Sequence, residues 1–307
     1  MNDDRLAIVP LADLTATELQ HLQSRPLSGP FFLPELLALW RDCFRWQGIG
    51  LRCGRILLVG FIKRSLLGRH FYSMPFGMYG GLYGEANPAP IADWITSQRF
   101  AEVRIIQPDS ASNNFGALVA RELRAHLVDL TASLDYSDNT ARNLRKAASS
   151  GFDVRLLDSS AKIPALAMLA RHEKRTGELR RLPVAAYDHL LANLRSEPPG
   201  IIAGGLYQGE QLVALQIFFV SRLDAFYFDG FALPEALQSG GNFYLLDSMI
   251  SHFRAAGLQH LNLGASPPGD AGLLRFKSGF GAAEFVYREY SAVSGLKHFA
   301  DRLRGRP

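Results

Sequence analysis

Cysteine is nearly absent from this sequence: Cys43 and Cys53 are the only two in 307 residues, and neither sits in a Cys-x-x-Cys pair or a Cys/His knuckle. A disulfide scaffold and a thiolate metal centre are excluded, and a reducing compartment is expected. Long apolar runs are missing as well; none approaches the roughly 18 residues of a membrane span. The opening Met1-Asn2-Asp3-Asp4-Arg5 is acidic where a secretory signal is basic, so a cytoplasmic protein with no transmembrane segment is expected. Charge of one sign is lacking too. The net charge of +4 falls short of a dedicated nucleic-acid binder and speaks against DNA as a partner. His172, His252 and His260 are scattered without ligand spacing, so no metal is expected. Ser266 stands outside any Gly-x-Ser-x-Gly turn, which argues against a serine hydrolase.

What is present is an ordinary globular composition, 48% apolar and 20% charged, in a chain long enough for two domains of about 150 residues. The order of its elements repeats. In the first half a strand (5–10) precedes helices near 15–23 and 34–45 and strands at 49–53, 56–63 and 70–74. A glycine-rich loop, Met78-Tyr79-Gly80-Gly81-Leu82-Tyr83-Gly84, leads to a helix near 91–98, a strand at 102–107, a short helix near 115–124 and a strand at 126–130. The second half follows the same order. It has a strand at 152–157, helices near 163–176 and 185–195, and strands at 201–207, 211–220 and 223–231. A glycine loop, a helix from Phe243 to Gly257, a strand at 259–262, a short helix near Phe276 and a strand at 284–292 complete it. Two similar mixed α/β domains are expected, 1–135 and 136–307.

Three stretches carry the candidate chemistry. In the first, Gln238-Ser239-Gly240-Gly241-Asn242 feeds a helix whose Leu246, Met249, Ile250 and Phe253 form one buried stripe. A glycine loop at a helix start leaves N–H groups that suit an anion, although such a loop also serves simply to turn the chain. In the second, Ser137 or Asp138 caps a helix over 139–150, with Gly151 at its end. Arg142, Arg145 and Lys146 fall on one stripe of it, either a solvated face or a rail for an anionic ligand. In the third, Tyr79 and Gly80 in the first-half loop are candidates to line a substrate cleft.

The run Arg142-Asn143-Leu144-Arg145-Lys146-Ala147-Ala148-Ser149-Ser150-Gly151 resembles the segment that opens the second domain of FemAB-like proteins. Phe276-Lys277-Ser278-Gly279-Phe280-Gly281 is similar to that family's closing signature. Pro75-Phe76-Gly77-Met78-Tyr79-Gly80-Gly81 resembles its first-domain loop, in the wording of FemAB-like proteins associated with exosortase systems. The resemblance covers nearly the whole chain. It implies tandem GNAT-like domains, each a central mixed β-sheet flanked by helices. FemAB members move an amino acid from aminoacyl-tRNA to a peptidoglycan precursor, whereas ordinary GNAT enzymes draw on acyl-CoA. The resemblance leaves both donors open, with tRNA as a partner in one case.

Residue by residue, the resemblance implies a pyrophosphate loop at Gln238, Gly240, Gly241 and Asn242, from which Phe243 departs by placing bulk where the pattern has Gly or Ala. It implies that Lys277, beside Phe276, stabilises charge developing on oxygen or holds the donor, with its ammonium expected to face the Gly240-Gly241 loop. Asp229 lies in the strand that borders the acyl group in GNAT folds, which makes it a candidate base for the attacking amine. The expected function is transfer of an acyl or aminoacyl group to an amine of a cell-envelope or polysaccharide precursor, with Arg142, Arg145 and Lys146 on the acceptor. The alternative is a catalytically silent module that binds an anionic glycan or nucleotide-linked precursor. The oligomeric state is left open.

Overall fold

The computed structural model describes residues 5–84, 87–108, 115–176, 181–266, 269–295 and 297–298. The first half contributes β1 (Ala7–Pro10), α1 (Ala16–Gln23), α2 (Pro34–Asp42), β2 (Gln47–Cys53), β3 (Ile56–Ser65), β4 (Gly68–Tyr72) and β5 (Leu82–Tyr83). It continues with α3 (Ala89–Ser97), β6 (Glu102–Gln107) and β7 (Val119–Asp129). The second contributes α4 (Asp138–Ala148), β8 (Phe152–Leu157), α5 (Lys162–Thr176), α6 (Val184–Ala192), β9 (Gly200–Gln208), β10 (Gln211–Val220) and β11 (Asp224–Ala232). After these come α7 (Pro234–Gln238), α8 (Gly241–Ala255), β12 (His260–Gly264), α9 (Ala271–Ser278) and β13 (Ala283–Val293).

Two compact units result. The first comprises 1–22, 40–123 and 286–307, the second 23–39 and 124–285. In the first unit the strand order is β1-β2-β3-β4-β6-β13; in the second it is β8-β9-β10-β11-β12-β7. Strand directions match as well. The first three junctions of each order are antiparallel, the fourth (β4 with β6, β11 with β12) is parallel, and the last is antiparallel. The two sheets therefore share one topology with their last strands exchanged. We propose 1–135 and 136–307 as the halves of a sequence repeat; the spatial units differ from those halves by this exchange and by 23–39, which belongs to the second unit.

The helix expected near 115–124 does not form: 115–118 is a turn, and the chain from Val119 onward is the strand β7. Its Ala, Arg, Glu and Leu residues are good helix formers, but tertiary pairing overrides that preference. Ion pairs of Arg121 with Glu289 in the first unit and Arg124 with Glu284 in the second anchor the strand form. Two short elements went unforeseen, β5 and α7. Each unit has its own core. One gathers Ile49, Leu51, Phe71, Ile91, Ile105 and Tyr290; the other gathers Ile202, Phe218, Leu246, Met249, Ile250 and Phe253, with the expected α8 stripe at its centre. α4 is capped as expected, Ser137 Oγ accepting the N–H of Thr140 at 3.3 Å. Gly151 follows in the left-handed region.

Candidate functional site

In the second unit β11 and β12 run parallel for just three positions, Asp224 with His260, Ala225 with Leu261 and Phe226 with Asn262. Beyond them β11 continues along β10 and β12 continues along β7, so the two strands part. The closed end of this splay is pinned. Asp224 is buried, with Oδ1 2.8 Å from His260 Nδ1 and Oδ2 accepting the N–H of Leu27 at 2.8 Å. Burial pushes its carboxyl above the usual range, against the pull of those two partners.

Asp229 lies on β11 in the parting stretch. A bulge at Phe228 breaks the register between Asp229 and Tyr227, and bulges of this kind re-aim side chains. The Asp229 carboxylate accepts the Tyr187 hydroxyl from α6 on one oxygen and the Gly230 N–H at 3.0 Å on the other. Burial raises its pKa, with Tyr187 and the nearby Arg181 guanidinium opposing. The same burial, with the Asp229 charge behind it, keeps the Tyr187 phenol protonated well above its ordinary value. Arg181 reaches this strand by donating to the Phe228 carbonyl at 2.6 Å. The result is a half-buried carboxylate held by a phenol, with its proton affinity raised by desolvation.

Lys277 is 6% exposed. Its Nζ donates to the carbonyls of Gly264 at 3.0 Å and Ala265 at 2.7 Å, where the chain leaves β12. The expectation that it faces the Gly240-Gly241 loop is corrected: side chains on a helix lean toward its N-terminus, and α9 begins just after the 264–265 stretch. Burial lowers the ammonium pKa to about 8, Arg181 adds to the drop, and Asp270 opposes it. His126 of β7 sits at the Gly264 register position; its imidazole is held below its usual pKa by burial first and the Lys277 charge second. Phe276 packs with Phe243 at 4.9 Å and Phe280 at 5.3 Å between ring centroids. Tyr136 joins at 5.4 Å from Phe280, with its hydroxyl donating to Asp247 at 2.7 Å. The bulk of Phe243 is thus spent in an aromatic cluster that ties α8 to α9.

The glycines of the α8 loop are used in packing. Gly240 is left-handed (φ 74°), and a Cβ there would stand 2.5 Å from the Asn143 carbonyl oxygen of α4; a Cβ on Gly241 would meet Leu206 at 2.5 Å. Lys146 is committed to the same loop, its Nζ donating to the Gln238 carbonyl at 2.6 Å. Arg142 donates to Asn139 Oδ1 at 2.7 Å, and Arg145 is exposed. Asn242 accepts from Gln216 Nε2 through its side chain at 3.0 Å and its backbone carbonyl at 3.2 Å. Gln216 is fully buried, and its Oε1 has no partner among the described residues.

Tyr79 and Gly80 belong to the first unit. Tyr79 is buried against Tyr287 at 5.0 Å, and Gly80 is wedged so that a Cβ would sit 2.4 Å from the Ser73 carbonyl oxygen. Their loop lies on the first unit's own parallel pair. β4 and β6 also pair in parallel for three positions, beginning with His70 and Glu102, a second imidazole–carboxylate pair at 3.4 Å. Here the chain itself occupies the parting edge of β6. Ser73 N–H donates to the Arg104 carbonyl at 2.9 Å, Ile106 N–H to Ser73 Oγ at 3.0 Å, and Gly80 N–H to the Ile106 carbonyl at 3.0 Å. Tyr187, Arg181, Gln216 and His126 escaped sequence reasoning because nothing local links them to Asp229, Asn242 or Lys277. Among the described residues no group of three or more His, Cys, Asp or Glu is placed to hold a metal, and no helix is long and apolar enough to cross a membrane.

A parallel pair splays on the second unit's sheet, and a glycine loop leads into the next helix, α8. Residues 135–278 match the model of the acetyltransferase (GNAT) domain, and the chain has the GNAT-superfamily fold in tandem. It is similar in structure to FemX, with a TM-score of 0.69 and 10% identity over 97% of this chain and 99% of that one. It is similar to the C-terminal DUF2156 domain of a protein described as a lysylphosphatidylglycerol synthetase from Agrobacterium fabrum, at TM-score 0.64 and 15% identity over 93% of each chain. A tandem GNAT protein of the clavulanic acid biosynthesis pathway aligns at 0.52 and 8% identity over 94% of this chain and 98% of that one. At these identities the likeness is one of fold. No curated protein matches the sequence at a significant level.

Proposed function

We propose that the chain is a cytoplasmic transferase that moves an acyl or aminoacyl group onto an amine of a cell-envelope or polysaccharide precursor. The reading is carried by Asp229, a half-buried carboxylate with a raised pKa on the parting stretch of β11, hydrogen-bonded to Tyr187. In the reaction an amine nitrogen attacks the carbonyl carbon of an ester or thioester. The new C–N bond forms as the C–O or C–S bond breaks. Asp229 takes the proton that the amine loses, and the leaving oxygen or sulfur regains one. Lys277 gives two of its three donors to Gly264 and Ala265; the third is the donor we assign to the developing oxyanion.

The packing of Gly240 on α4 and of Phe243 in the aromatic cluster supports aminoacyl-tRNA over acyl-CoA, whose pyrophosphate needs an uncrowded glycine loop. An anionic acceptor suits the exposed Arg142 and Arg145. The name lysylphosphatidylglycerol synthetase, an amino acid joined to an anionic lipid, supports the same class. The silent-module alternative draws on Lys146 and Lys277 being engaged with backbone carbonyls.

The test titrates the protein with aminoacyl-tRNA, deacylated tRNA, acetyl-CoA and nucleotide-linked envelope precursors, then follows donor consumption with the precursors present. Aminoacyl-tRNA should bind and be consumed. Asp229→Asn should keep donor binding and slow transfer by roughly 10²–10⁴-fold. Binding of a precursor with neither aminoacyl-tRNA nor acetyl-CoA consumed in its presence would overturn the transferase and support the silent module.

A further inference from the structure

The β3–β4 hairpin of the first unit reads Lys63-Arg64-Ser65-Leu66-Leu67-Gly68-Arg69. Ser65 and Gly68 are its last register pair, so Leu66 and Leu67 form the tip. Leu66 is fully exposed, at 104% of its reference area. The turn presents it firmly: Ser65 Oγ accepts the Leu67 N–H at 3.1 Å and donates to the Gly68 carbonyl at 3.3 Å. A lone exposed leucine is ordinary, but the surroundings of this one are not.

Trp46 precedes Gln47, which is registered with Ile62, and so comes beside Lys63; the Lys63 ammonium lies 5.6 Å from its ring centroid. The indole stacks on Tyr72 at 5.5 Å and on Phe76 at 5.7 Å. Phe76 is 46% exposed and holds a left-handed backbone, φ 55°, a conformation that costs a non-glycine residue free energy and here sustains an exposed apolar ring. Bases dominate the same end. Arg64 and Arg69 are exposed and directly opposite one another in the register, a like-charge pairing that weakens a hairpin in water. Arg45 and Arg99 are also exposed. Of the acids nearby, Asp42 is paired with Arg41, and Glu102 is buried among His70, Arg104 and Lys297.

We propose that this end of the first unit docks on an anionic lipid bilayer. Leu66 enters the boundary of the acyl region, the Trp46, Tyr72 and Phe76 rings lie at headgroup level, and Lys63, Arg64 and Arg69 meet the lipid phosphates. A convex apolar tip ringed by bases and backed by an aromatic stack suits a membrane interface, where each of these groups has its own layer. The negative surface also relieves the repulsion between Arg64 and Arg69.

The test sediments the full chain with vesicles of phosphatidylcholine alone and with vesicles that also contain phosphatidylglycerol. Binding should require phosphatidylglycerol and weaken as salt rises. Arg64→Gln should lower the partition coefficient by roughly fivefold, the worth of one base near an anionic surface. Leu66→Asp should abolish binding with an unchanged melting temperature, since its side chain touches nothing in the fold. Equal binding to both vesicle types, no binding to either, or binding that neither substitution alters would overturn the proposal. Because the donor titrations use no lipid, their outcome is separate.

Discussion

Lys277 shows how far the setting of one side chain redefines it. A lysine on a short helix is normally solvated, but this one leans back along α9 and is buried against two backbone carbonyls. Its pKa falls from 10.5 to about 8, so in the folded state it releases its proton earlier than in the unfolded chain. Between those values the unfolded chain holds more protons, and stability rises with pH across that window. Wild type should therefore gain stability relative to Lys277→Met on going from about pH 7.5 to about pH 9.5, where Met has no proton to release. Urea midpoints of both proteins at the two pH values check this, and a gap that stays constant or moves the other way would refute the burial argument. The Phe276-Lys277 pair was visible in the sequence. The direction of the ammonium was not, because it depends on where β12 ends relative to α9.

Among elements, the loop into α8 is the most demanding. Gly240 needs the left-handed region and also stands against the Asn143 carbonyl oxygen of α4, whereas Gly241 stands against the end of the Leu206 side chain. Gly240→Ala should cost about 1–3 kcal/mol from backbone conformation alone, with the clash against a helix backbone adding to it. Gly241→Ala should cost less, since a side-chain tip can move aside. Urea unfolding of the two variants measures the contrast, and equal losses would show that the loop yields as readily as a side chain. The helices here were legible from the chain: the α8 stripe, the Ser137 cap and the end at Gly151 are local patterns. β7 was not, since its residues favour a helix in isolation and become a strand through partners far along the sequence.

At the scale of the whole molecule, the exchange of last strands makes each unit depend on both halves of the chain. β6 is registered with β13 over six pairs, Arg288 through Val293, and β12 is registered with β7 at four. Fragments 1–135 and 136–307 expressed apart should each be insoluble, because an unpaired strand edge is left in each sheet; expressed together they should recover a soluble complex. Soluble yield and co-purification test this, and a folded lone fragment would show that the exchanged strand is dispensable. The amino-acid sequence by itself determined the order of elements, their repetition, most helix and strand spans and the glycine loops. All of these follow from periodicities of two and 3.6 residues and from caps and turns, which act over a few neighbours. Only the tertiary structure decided which strand completes each sheet, how the first unit's loop comes to lie on the parting edge of β6, and which groups meet Asp229 and Lys277. Those outcomes rest on contacts between residues far apart in the chain, such as Tyr187 with Asp229 or His126 with Gly264, and no local pattern encodes them.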